Sequence, residues 1–187
     1  MTAHERAGGF SRVPIDLIVC SSAPRWTAAV RTALLAATPK LPQLVFRLHE
    51  VEELAQVSRV LELTPRALVG LEVGEENLRG CLKWLTWARR QLVPVVGLLS
   101  IAPSPGDVNA AEHHRQRTET LAALVREAGA VWTLASPLQA ADLLEIAARH
   151  GQQLTATPLS NHALSTEIWR SLPWQSARGP LRLTGDA

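Results

Sequence analysis

A chain of 187 residues, 47% apolar and 19% charged, holds enough apolar material to bury one domain's core and too much to be disordered throughout. Its 19 basic and 17 acidic side chains leave a formal charge of +2, and the basic ones are scattered, so neither nucleic acid nor an anionic membrane is expected as a partner. The longest apolar stretch, Val93 to Ala102, is about half of what a bilayer-spanning helix needs, and MTAHERAGGFSR has no apolar segment behind its charges; a cytoplasmic protein is expected.

Residues 1–13 are polar and aperiodic and read as a flexible arm. From Pro14 the chain alternates. Ile15 to Cys20 is a run of mostly branched apolar residues, and Trp26 to Ala37 is alanine-rich with apolar positions at helical spacing, which predicts a strand followed by a helix. The pair recurs: strand Leu44–Leu48 with helix Val51–Leu63, strand Ala67–Val73 with helix Glu76–Leu92, strand Val95–Ser100 with a helix ending near Ala128, and strand Val131–Ala135 with helix Ala140–His150. Strands this apolar are covered on both faces, and regular alternation implies parallel order. Five units predict a flavodoxin-like, doubly wound α/β sheet of order 2-1-3-4-5 spanning residues 14–153, with any site at the carboxyl ends of the strands. Residues 154–187 have turn formers at both ends and one apolar cluster between, and read as a tail with an adhesive segment.

The run Gly129 to Arg149, GAVWTLASPLQAADLLEIAAR, resembles the last strand, loop and helix of a response-regulator receiver domain. The spacing from Gly129 and Ala130 to Pro137, the apolar residue after the proline and the Leu143–Leu144 pair follow that family, but Ser136 stands where its lysine would be. The resemblance implies an acidic pair after the first strand to hold magnesium, an acceptor aspartate ending the third, a hydroxyl after the fourth and the lysine after the fifth. Here Cys20 and Ser21 occupy the acidic pair, Leu71 or Glu72 the acceptor position, and Leu99 or Ser100 the place of the hydroxyl, with register favouring Leu99. A hydroxyl at Ser136 does not replace an ammonium that clamps a phosphoryl group. The expectation is a degenerate receiver that does not accept phosphate.

Other chemistry finds little support. There is no glycine-rich phosphate cradle and no G-x-S-x-G elbow. Ser21 and Ser22 precede a helix and are expected to cap it. The adjacent His113 and His114 point about a hundred degrees apart on a helix and cannot form an i, i+4 metal pair. Cys20 and Cys81 are read as reduced core thiols. The connection APSPGDV is long for such a fold, and Asn109 with Glu112 is spaced as a capping box. No metal, cofactor or enzymatic activity is expected.

The positive signal is aromatic. The chain has six tryptophans and no tyrosine, and tryptophan is disproportionately an interface anchor. In the third helix Leu78, Leu82, Leu85 and Leu92 fall on one stripe with Cys81 and Ala88 at its edge; Trp84 then flanks it and Trp87 lies opposite, beside Arg89 and Arg90. Trp169, Leu172 and Trp174 make a compact apolar motif in the tail, with Pro173 limiting helix. Trp26 and Trp132 are expected in core or edge packing. The reading is a non-catalytic protein-interaction module in a bacterial-type signalling or regulatory assembly, its partner another protein, with a homodimer left open. The alternative is a small-ligand sensor, for a nucleotide or other metabolite, with Cys20, Ser21, Glu72, Ser100 and Ser136 lining the vacated cleft.

Overall fold

A computed structural model describes residues 13–102 and 109–155. Five strands, β1 (Val13–Cys20), β2 (Leu44–Val51), β3 (Leu68–Gly74), β4 (Val95–Ser100) and β5 (Trp132–Leu134), form one parallel sheet in the order β2-β1-β3-β4-β5. Five helices alternate with them: α1 (Pro24–Ala37), α2 (Leu54–Leu63), α3 (Leu78–Arg90), α4 (Ala110–Ala128) and α5 (Ala140–Thr155). A 3-10 turn, Pro137–Gln139, leads into α5. This is the expected doubly wound sheet in the expected order.

Side-chain alternation sends each strand's apolar residues into two cores. Leu17, Val19, Leu68, Val96 and Leu98 pack with Trp26 and Val30 of α1 and Leu143 and Ala147 of α5. Ile18, Cys20, Val69, Leu71, Val73 and Leu99 pack on the other side with Val57 of α2, Leu85 of α3 and Val125 of α4. All seven residues of β3 are buried, as a central strand covered on both faces requires. At Gly97 a Cβ would stand 2.5 Å from Val125 Cγ1, so the glycine lets α4 lie close on β4. Gly129 closes α4 at φ +130°, a conformation that L side chains rarely adopt.

Several boundaries differ from the sequence expectation. β1 starts at Val13, Val51 ends β2 rather than opening a helix, and α5 runs through Thr155, past the expected helix end at His150. α2 begins only at Leu54, where Glu53 and Gln56 form a capping box. Helix α3 stops at Arg90, and Leu92 takes φ +57° and lies 88% exposed. The buried stripe is therefore Cys81, Leu85 and Ala88, with Leu78 and Leu82 half-buried, and Leu92 does not belong to it. Trp26 is fully buried, whereas Trp132 on the short edge strand is 57% exposed. The arm up to residue 12, residues 103–108 of the long connection, and the tail from residue 156 with Trp169, Leu172 and Trp174 lie outside the described residues.

Candidate functional site

The carboxyl edge of the sheet is built around one buried carboxylate. Residues 68, 70 and 72 of β3 face α1 and α5, so Glu72 emerges under the start of α1, paired in register with Leu98. It is only 4% exposed. Its Oε2 accepts from Ser21 Oγ at 2.7 Å and from the Ala23 amide at 3.3 Å. On the other side Arg25, in the first turn of α1, places Nη2 3.7 Å from Glu72 Oε1 and donates to Ser100 Oγ. Buried carboxylates need such donors, and this one takes all of them from the β1–α1 junction.

Ser21 therefore does not cap α1. Its hydroxyl turns inward to Glu72, with the Ala23 carbonyl 2.5 Å away, while Ala23 is the N-cap residue and makes no side-chain cap. Pro24 opens the helix instead, its fixed φ suiting the first helical position. Asn109 heads α4 without a side-chain cap, and Glu112 is engaged by Arg115 rather than closing a box. Cys20 does not line the cleft either: it falls one residue out of phase with Ser21 and joins the opposite core beside Cys81. Burial, aided by each other's proximity and Glu72, pushes the Cys20 thiol up to about 12; burial and Glu72 push Cys81 up to about 11.

At the fifth strand Ser136 is committed to its own turn. Its Oγ accepts from the Leu138 amide at 3.3 Å, and Gln139 Oε1 accepts from the Ala135 and Ser136 amides at 2.9 and 3.2 Å. Pro137 borders a small cavity of about 130 Å³ with Arg25, Leu99, Ile101, His114 and Thr118. Of the expected positions, Ser21, Glu72 and Ser100 come together; Cys20 and Ser136 do not join them. Arg25 was missed in the sequence. The available signal was Pro24, which marks the helix start and thereby puts Arg25 in the first turn over the strand ends.

One carboxylate oxygen of Glu72 is held by two donors and the other faces a guanidinium. Among the described residues, no group of three or more His, Cys, Asp or Glu side chains could hold a metal ion. No described helix is long and apolar enough to cross a membrane.

Away from this edge, Trp84 and Trp87 of α3 pair with ring centroids 5.7 Å apart and planes tilted by 46°. Trp84 is half-buried and donates through Nε1 to Ser58 Oγ of α2 at 3.4 Å; Trp87 is 42% exposed.

No protein-family model matches the chain, and no curated protein matches it. Solved structures do, 11 chains in all. One is the crystal structure of a CheY-like protein (tadZ) from Pseudomonas aeruginosa PAO1, at 17% identity and a TM-score of 0.50, covering 77% of this chain and 98% of that one. The fold is thus CheY-like. At this identity the likeness concerns architecture alone.

Proposed function

We propose that this protein is a receiver-like interaction module that works without phosphorylation, binding another protein in a signalling or regulatory assembly and catalysing nothing. The observation that carries the reading is the state of Glu72. A carboxylate at the strand end is available to attack phosphorus only if an oxygen is free and a cation neutralises the incoming group. Here Ser21 and the Ala23 amide occupy Oε2, and the neighbouring cation, Arg25, is drawn to Glu72 and Ser100. The edge acts as a strut between β3 and α1, which leaves the outer helical faces to carry function.

The ligand-sensor alternative has two cavities at this edge, one lined by Ser21, Arg31 and Glu50 and a smaller one beside Arg25. The first, at about 370 Å³, reaches the ~300 Å³ at which ordinary ligand pockets begin but takes in only Ser21 of the expected lining, and the second, at about 130 Å³, falls well short of it.

Capture of partners by the full-length chain from an extract of its source cells, with and without acetyl phosphate and magnesium, tests the proposal. The same protein retained equally under both conditions is expected. A partner retained only after phosphorylation would overturn it.

A further inference from the structure

Helix α3, LRGCLKWLTWARR, carries four basic residues and no acidic one. Three of the four fall on a single outward line with Trp87: Arg79, Lys83, Trp87 and Arg90, spaced four, four and three residues apart, lie within about 80° of one another at 100° per residue. All four are exposed, and the line is about 16 Å long at 1.5 Å per residue. Among the described residues, the side chains of Arg79, Lys83 and Arg90 make no hydrogen bond or ion pair, whereas Arg25, Arg31, Arg47, Arg115, Arg117 and Arg149 each pair with a carboxylate. Trp87 is held from behind by its tilted contact with Trp84, itself tied to α2 through Ser58. A rigid indole is thus presented between cations that have no counter-charge in the described fold.

We propose that this face docks an acidic segment of a partner protein, with an apolar side chain of the partner on Trp87 and carboxylates flanking it on Arg79, Lys83 and Arg90. The proposal rests on the interaction-module reading and names the chemistry of the partner. An indole ringed by basic side chains has the composition of a binding hot spot, where tryptophan and arginine dominate. Charge complementarity then selects carboxylates as neighbours of the anchor. Nucleic acid is a poorer fit, because three phosphate contacts supply only a shallow salt dependence and the chain's net charge is +2. An anionic bilayer is poorer still, since one tryptophan and three cations give neither a broad apolar face nor a polybasic cluster.

The test is selection of short random peptides displayed on phage against the full-length chain, followed by affinity measurement of the enriched peptides. Enriched sequences should carry Asp or Glu around an apolar residue. Trp87→Ala should weaken them about thirtyfold or more, and Lys83→Glu with Arg90→Glu should abolish them. These positions are exposed, and unchanged thermal melting certifies that the variants fold. Neutral or basic pools, no enrichment, or acidic peptides that bind both variants as tightly as the parent would each overturn the assignment. So would face-dependent binding to phosphatidylserine vesicles or duplex DNA exceeding that to the peptides. A protein partner that the variants still retain would remove this face while leaving the interaction-module reading intact.

Discussion

Replacing Glu72 by alanine separates two accounts of the carboxyl edge. If Glu72 is a strut, the cost follows from what its carboxylate holds. The bond from Ser21 Oγ at 2.7 Å is a charge-assisted contact of about 1.5–3 kcal/mol, and the longer one from the Ala23 amide adds roughly 0.5 kcal/mol. The one methylene lost, Cγ, adds about 0.8 kcal/mol. Against this stands the relieved cost of keeping a carboxylate 4% exposed, so a net loss of about 3 kcal/mol is expected. Arg25→Ala removes an ion pair whose guanidinium side is 46% exposed, which solvent screening holds to about 1 kcal/mol. For a unit of this size, 1 kcal/mol corresponds to about 2–4 °C in Tm. Urea unfolding with paired thermal melts should therefore place Glu72→Ala about 6–12 °C below the parent, and Arg25→Ala within about 4 °C of it. Equal losses would mean that the charge pair, not the donors at the β1–α1 junction, holds the edge, and the strut argument would fail.

Four further outcomes follow from the packing and the shifted groups. Cys20 and Cys81 should resist thiol reagents at pH 8 in the folded chain and react fully in urea; rapid native labelling of either would contradict their burial. Because both folded values are raised above the ordinary 9.0, their stabilising contribution is complete below about pH 9 and is lost as pH climbs, to about 12 for Cys20 and about 11 for Cys81. Cys20→Ala should therefore show a shallower fall in stability than the parent between pH 9 and 11, by up to about 1.4 kcal/mol per pH unit, and parallel curves would refute this. Asp16 behaves oppositely: burial pushes its carboxyl up, but hydrogen bonds from His49 and Arg47 outweigh burial and hold it below 3.8. Its contribution is present above about pH 4 and lost as pH falls through the lowered value, so Asp16→Asn should flatten the acid limb of the stability curve. Gly97→Ala, whose Cβ would meet Val125 Cγ1 at 2.5 Å, should cost about 1–3 kcal/mol by urea unfolding. A neutral effect would show that α4 moves away freely.

The strand order and both cores were legible because five alternating apolar units leave few other ways to bury their surfaces. The site was legible only in part. Glu72 was reached as one of two occupants of the acceptor position, but its partner Arg25 was not, because reading the helix from Trp26 left Arg25 outside it. Ser21 was mistaken for a cap, since a serine before a helix satisfies that pattern equally well; only the fold reveals the buried carboxylate beneath it. Cys20 and Ser21 are neighbours in sequence but face opposite cores, a distinction that hangs on the register of a single residue. Leu92 was assigned to the stripe of α3 by continuing its period, which the positive φ at that residue ends. The cationic line on α3 was half visible: Arg90 was noted beside Trp87, while Lys83 and Arg79, one and two turns back, complete it.

The central claim is that Glu72 is a strut and not a phosphoryl acceptor. Intact-mass measurement of the full-length protein after incubation with acetyl phosphate and magnesium tests it most directly, with thermal melting in beryllofluoride alongside. The account predicts an unchanged mass and an unchanged melting temperature. A phosphoryl adduct mapped to Glu72, or saturable stabilisation by beryllofluoride, would contradict it.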